Sequence, residues 1–251
     1  MESNARVLIE RVGAVAVLTM NRPEKRNAVD LAMASSIVEA IAAGQDAGAI
    51  VLTGADPAFC AGLDLKNLGT DRLIDLPRFI NAVADSAVPV IAAVNGAAAT
   101  GGFEVALAAD FIVASDRARF ADTHLRVGVY PGPVLVDLPR RVGKAWARQM
   151  SLTGDYIDAV TALRIGLANE VVPHEQLLAR VMQLAASIAE QDRRMVAVAR
   201  DDWRATDGVQ YDEAHKMHGR TAVQAGCAGS TSAGLNERSA VVIARAHESA
   251  R

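Results

Sequence analysis

The chain has 251 residues, 51% of them hydrophobic, 22% charged and only 4% aromatic, with a formal net charge of -3. This is ordinary globular composition with ample apolar material for a large core, and its charge balance excludes an electrostatic footprint for nucleic acid. Its two cysteines, Cys60 and Cys227, make neither a disulfide framework nor a zinc-ligand spacing, the opening MESNARVLIERVG lacks the apolar core of a signal peptide, and no apolar run approaches the ~20 residues of a membrane span. A cytoplasmic protein is expected, with no metal, no membrane and no nucleic-acid partner.

In chain order, RVLIERVGAVAVLTM reads as two strands joined by a short turn at Arg11 to Gly13, a hairpin. The polar loop NRPEKRNAVD follows. Asp30 then caps a helix through Ile41, with Leu31, Ala34, Val38 and Ile41 at helical spacing. AIVLTG is a short buried strand, and ADPAFCAGLDL is a loop of small residues. Arg72 to Ala84 reads as a helix, and VPVIAAVNG as a second buried strand. A glycine-rich turn and helix, NGAAATGGFEVALAAD, lead to the strand DFIVAS and the short strand RARFAD. Strand, loop, helix and strand in succession argue for parallel strands with right-handed crossovers.

From Lys144 the pattern is mostly helical: KAWARQMSLTG, DAVTALRIG with Gly166 closing it, and HEQLLARVMQLAASIAEQ, interrupted only by the strand LANEVVP. The last sixty or so residues carry helical pattern and no strand signal. The expected organisation is an α/β core over residues 1–190 and a helical segment over residues 191–251.

Both small-residue loops, FCAGLDL and NGAAATGGFE, follow apolar strands. Ligands of parallel α/β sheets sit beyond the carboxyl ends of strands, and helix N-terminal N–H groups are unpaired donors. Two such donors on one oxygen would stabilise an oxyanion, each worth roughly 2.7–4 kcal/mol of barrier. Small residues after strands also serve as plain turn and packing residues, and neither loop matches a P-loop or a dinucleotide fingerprint. Cys60 reads as a small buried residue and not as a nucleophile.

One carboxylate stands out. Between Asp85 and Asp110 the only formally charged side chain is Glu104, at the head of an apolar helix. A lone buried carboxylate is costly and must shift its pKa or find a partner. Glu104 is either a general acid/base or a first-turn glutamate placed against the helix dipole.

The ordered set NRPEKRNA, VLTGADPAFCAGLDL, PVIAAVNGAAATGGFEVALAADFIVASDRARFA and LTGDYIDAVTALRIGLANEVVP resembles the enoyl-CoA hydratase/isomerase family, the crotonase superfamily, from about Val15 to Pro173. The resemblance implies a spiral of ββα turns with a C-terminal helical oligomerisation segment that builds a trimer or a dimer of trimers. It implies an acyl-CoA thioester as substrate, with coenzyme A arriving as part of it and no permanently bound cofactor. Backbone N–H groups of Leu63 and Gly101 would form the oxyanion hole. Lys25, Arg26, Ala28, Ala61 and Leu63 would line the coenzyme A path. Glu104 matches the first of two glutamates with which hydratases activate water.

The second glutamate of that pattern is replaced. FADTHLRVGVYPGPVLVDLPRRVG keeps Gly128, Pro131 and Gly132 in frame but has His124 at the glutamate position, and Val134 and Leu135 where a glycine pair is usual. Histidine can perform acid/base work at neutral pH, so His124 is the expected second catalytic residue, with Asp122 near enough to influence it. If His124 instead faces solvent, Asp122, Tyr130 or a water relay would supply the proton. Ordinary isomerase activity is disfavoured. Hydration of a 2-enoyl-CoA leads, ahead of hydrolysis, decarboxylation or retro-aldol cleavage through a thioester enolate, and ahead of non-catalytic acyl-CoA binding.

Overall fold

The computed structural model describes residues 5–64 and 76–225. The chain divides into two compact units, residues 1–191 and 192–251.

The first unit opens with the expected hairpin, β1 (Val7–Val12) antiparallel to β2 (Val15–Met20), turning at Gly13 with φ +58°. Asp30 caps α1 (Leu31–Ala43), its carboxylate accepting the Met33 N–H at 2.8 Å. Three successive strand–strand–helix turns follow: β3 (Ala49–Gly54), β4 (Ala58–Cys60) and α2 (Leu76–Ala84); β5 (Val90–Val94), β6 (Ala97–Ala99) and α3 (Gly101–Leu107); β7 (Phe111–Ser115), β8 (Arg119–Ala121) and, after a 3-10 turn at His124–Val127, α4 (Val134–Val142). The unit closes with α5 (Lys144–Thr153), β9 (Ile157–Asp158), α6 (Ala159–Arg164), β10 (Glu170–Val172) and α7 (Leu177–Ala189).

The first strand of each turn joins a six-stranded sheet in the order β1-β2-β3-β5-β7-β10, and the second joins a four-stranded sheet in the order β4-β6-β8-β9. Pairing is parallel from β2 through β3, β5 and β7 to β10, and from β4 through β6 to β8. This is the ββα spiral.

The larger sheet explains its own sequence. One face packs Leu52, Ala92 and Val94 into a cluster with Phe59, Phe79, Phe103 and Phe120, and the other packs Val51, Ile91, Ala93 and Val113 against Leu177, Val181 and Ala185 of α7. Strands covered on both faces read as unbroken apolar runs, as AIVLTG and VPVIAAVNG do.

Four elements depart from the sequence reading. β4 and β6 lie inside stretches expected to be loop or turn, because AFC and AAA are too short and too small for a period-2 pattern to show. α4 begins at Val134, directly after the Pro-Gly-Pro run, where the sequence offered no helix start signal. β9 lies in a stretch expected to link two helices and pairs antiparallel with β8. The expected helix from Arg72 is seen from Leu76, and residues 72–75 lie outside the described residues.

In the second unit, Asp192 caps α8 (Arg193–Thr206), and α9 (Tyr211–Gln224) packs on α8. His218 Nδ1 meets Asp202 at 2.6 Å, and the Arg194 guanidinium donates to the Ala225 carbonyl at 2.7 Å. Trp203, Tyr211 and Val223 are exposed large side chains of these helices. Cys227 and the apolar run SAVVIARA lie outside the described residues. No described helix is long and apolar enough to cross a membrane.

Candidate active site

Three loops meet beyond the carboxyl ends of β2, β4 and β6. The first is the polar loop after β2. Its Asn27, fully buried with φ +56°, donates through Nδ2 to the carbonyls of Ala55 and Ala58 at 2.7 Å and of Phe59 at 3.2 Å. One amide thus ties together three carbonyls on both sides of the turn after β3, two of them buried, which fastens this loop to that turn. The Cys60 thiol lies 3.1 Å from the Asn27 carbonyl, and the Ala61 N–H donates to the Arg26 carbonyl at 3.0 Å. Val29 and Leu63 then form a short parallel bridge.

These bonds set Lys25, Arg26 and Ala28 beside Ala61 and Leu63. Lys25 and Arg26 are exposed, and Ala28, Ala61 and Leu63 are half-buried. The Cys60 thiol is buried, which pushes its pKa up to about 12 and keeps it protonated and inert.

The second and third loops, 60–63 and 99–102, are pressed together. A Cβ on Gly62 would stand 1.7 Å from Thr100 Oγ1, and one on Gly102 would stand 2.2 Å from the Cys60 carbonyl oxygen. Gly62 has φ +92°, and Thr100 holds the left-handed φ of +47° that a non-glycine residue rarely adopts. The result places the Leu63 N–H and the first N–H of α3, that of Gly101, on neighbouring turns. Among the described residues neither donates to a backbone carbonyl.

Glu104 is in the first turn of α3 and only 3% exposed. Its Oε1 accepts the Val134 N–H at 3.2 Å, so the carboxylate faces the N-terminus of α4 as well as its own helix. Gly132 makes that approach possible, since a Cβ there would stand 2.8 Å from the same oxygen. Burial raises the Glu104 pKa, with the Asp122 charge adding to it, against the opposing pull of His124 and of the Val134 and Gly132 backbone.

His124 does not face solvent. It is 6% exposed, and its ring spans two carboxylates, with Nδ1 2.7 Å from Asp122 Oδ1 and Nε2 3.8 Å from Glu104 Oε2. Burial works to raise the Asp122 pKa, yet the hydrogen bond from His124 and the nearness of Ser151 hold it below the usual carboxylate value. Tyr130, the alternative proton source, is 83% exposed. Beside this trio lies a mainly apolar cavity of about 660 Å³, with Tyr130, Pro131, Val134, Leu135, Ser151 and Leu152 among its walls.

Ser151 carried no functional signal in the sequence, and Val134 entered it only as a departure from a glycine pair. Val134 acts through its backbone at a helix start that was not legible there, and Ser151 comes from α5, distant in the chain.

The raised Glu104 pKa has a stability consequence. The folded state binds this proton more tightly than the unfolded state, so the associated stability is present at acid pH and is lost as pH rises from the ordinary carboxylate value through the raised one. Glu104→Gln is therefore expected to melt higher than the parent at pH 7–8, at about 2–4 °C for each kcal/mol relieved. The difference should vanish toward pH 4, which thermal melts across that range would check.

The family profile described as enoyl-CoA hydratase/isomerase matches residues 10–227. A probable enoyl-CoA hydratase of Rhizobium meliloti (strain 1021) is 38% identical over 192 residues, 73% of this chain and 75% of that protein. A probable mitochondrial enoyl-CoA hydratase of Dictyostelium discoideum is 34% identical over 221 residues, 81% of this chain and 79% of its own length. Among solved structures, an enoyl-CoA hydratase subunit from Geobacillus kaustophilus HTA426 superposes with a TM-score of 0.85 at 29% identity, covering 96% of this chain and 95% of that one. An enoyl-CoA hydratase from Mycobacterium tuberculosis H37Rv gives 0.75 at 43% identity, covering 88% and 98%. With its ββα spiral and this profile match, the chain belongs to the enoyl-CoA hydratase/isomerase family.

Proposed function

We propose that the protein is an enoyl-CoA hydratase, a lyase that adds water across the double bond of a 2-enoyl-CoA thioester. The observation that carries this reading is the 3.8 Å gap between His124 Nε2 and Glu104 Oε2. It is too long for a direct hydrogen bond, yet one water can sit at about 2.8 Å from both atoms. Two buried acid/base groups able to share a water, with the Leu63 and Gly101 N–H groups free of backbone acceptors among the described residues, are the parts that hydration requires.

The electrons and protons balance as follows. The thioester carbonyl sits against the Leu63 and Gly101 N–H groups. The water oxygen bonds to the β-carbon as Glu104 takes its proton, and the π electrons move onto the carbonyl oxygen as an enolate. The enolate then collapses, and the α-carbon takes a proton from His124 Nε2. Return of the proton from Glu104 to His124 resets the site, and the net change is addition of one water. Burial holds the Glu104 pKa above the ordinary carboxylate value, which favours its taking up the proton.

Pure acyl-CoA binding is disfavoured by the same geometry. A buried carboxylate costs stability and contributes nothing to holding a thioester. The exposed Lys25 and Arg26 beside Ala28, Ala61 and Leu63 suit the phosphates and pantetheine of coenzyme A. The buried, protonated Cys60 fits a reducing compartment, and the cytoplasm is the proposed location.

Incubation with a panel of 2-enoyl-CoA thioesters should give products heavier by one water, read by mass. Glu104→Gln should lower turnover by about two to four orders of magnitude with thioester affinity little changed. Near-parental turnover of that variant would reduce Glu104 to a helix-end carboxylate.

Arg26→Ala should weaken free coenzyme A binding while leaving turnover at saturation intact, a uniform-binding effect. Calorimetric titration at two salt concentrations tests it, and an unchanged affinity removes Arg26 from the path.

The assembly proposed is a homotrimer or a dimer of trimers, built through residues 191–251. The exposed Trp203, Tyr211 and Val223 support it. Light scattering should give a trimeric or hexameric mass, and a chain ending near Asp192 should lose assembly. A monodisperse monomer would overturn it.

A further inference from the structure

Asp122 lies at the end of β8, 1% exposed, with its Oδ1 2.7 Å from His124 Nδ1. The short distance and the anion fix the hydrogen bond's direction, because a carboxylate can only accept. Nδ1 therefore carries a proton in every protonation state of the ring, and every proton the imidazole exchanges with the site passes through Nε2, the atom aimed at Glu104.

Charge points the same way. Glu104 and Asp122 are two buried carboxyl groups on either side of one buried ring. An imidazolium paired with the Asp122 carboxylate is a neutral unit that becomes singly negative after giving up its proton. That is the charge change of one carboxylic acid. An imidazole alone would go from positive to neutral, and the enolate and Glu104 would meet a different field at each step.

Ser151, from α5, is near enough to help keep the Asp122 carboxylate ionised, while Oδ2 makes no hydrogen bond among the described residues. The carboxylate's shortest hydrogen bond is from the ring, with the His124 backbone N–H 3.4 Å from the same oxygen. This arrangement is costly for folding alone.

We propose that Asp122 is a positioning residue: it holds the Nδ1 proton of His124, turns Nε2 toward Glu104, and lends the imidazole the charge behaviour of a carboxylic acid. This assignment of a role rests on the hydratase reading, but the tautomer it demands does not.

The first test needs no substrate. In a 15N-edited imidazole spectrum of the parent protein, neutral His124 carries its proton on Nδ1. In Asp122→Asn the amide can turn its NH2 toward Nδ1, and the proton moves to Nε2. A parent ring protonated on Nε2 when neutral overturns the proposal outright, even if the variant does not fold.

The second test is kinetic. Asp122→Asn should lower kcat by about 10²–10⁴-fold with KM little changed, the pattern of a mis-set general acid/base. In a His124→Glu background, where the side chain carries its own charge, the same Asp122→Asn change should cost no more than about twofold. An equal loss in both backgrounds, or a parental kcat for Asp122→Asn, overturns the role. If the parent hydrates no enoyl-CoA thioester, the functional reading falls, and the tautomer measurement still decides whether Asp122 orients the ring.

Discussion

The site depends on one close approach. Gly102 lies so near the Cys60 carbonyl that a methyl group would stand 2.2 Å from it, and Gly62 meets Thr100 as tightly. These contacts join the turn after β4 to the turn after β6, and they exist only because both positions lack a side chain. Neighbouring parallel strands bring the turns to the same end of the spiral, and the glycines let their backbones touch. The Leu63 and Gly101 N–H groups, left without backbone acceptors among the described residues, follow from that contact. So does the left-handed backbone of Thr100, strain that the surrounding packing holds in place.

The second constraint is electrostatic. Glu104, His124 and Asp122 are each less than a tenth exposed, and burial and the ring between them act on both carboxyl groups. Burial raises Glu104, whereas the hydrogen bond to His124 holds Asp122 down. Environments that push two carboxyl groups apart are how a protein separates acid and base roles between chemically identical side chains. Here the two carboxyl groups lie on either side of one ring. His124 is not alone in this pocket, because a second carboxylate accompanies it.

Much of this was legible in the chain. Unbroken apolar runs marked β3 and β5 as strands buried on both faces, Asp30 announced α1, and an isolated carboxylate in an apolar stretch singled out Glu104. Those signals are local, since they depend on periodicity, capping chemistry and the cost of burying charge. Ordered motifs carried the family, which the profile match over residues 10–227 shows. The short strands β4 and β6 were not legible, because three small residues carry no period and become strands only when the spiral lays them beside each other.

The contacts that give the site its chemistry belong to the tertiary structure. The direction of the His124 ring could not be read from its position, since a histidine in such a segment serves equally well exposed or buried. It was decided by the Asp122 carboxylate at 2.7 Å and by Glu104 arriving from another turn of the spiral. The Val134 N–H reaches Glu104 from thirty residues away because α4 begins where Gly132 allows close approach. Sequence by itself determined which residues are able to do acid/base work and which segments bury themselves, because those follow from side-chain chemistry and local pattern. Which of those residues face one another, and across what distance, only the packing of the spiral could decide, because proton transfer and hydrogen bonding depend on separations of a few ångströms between distant parts of the chain.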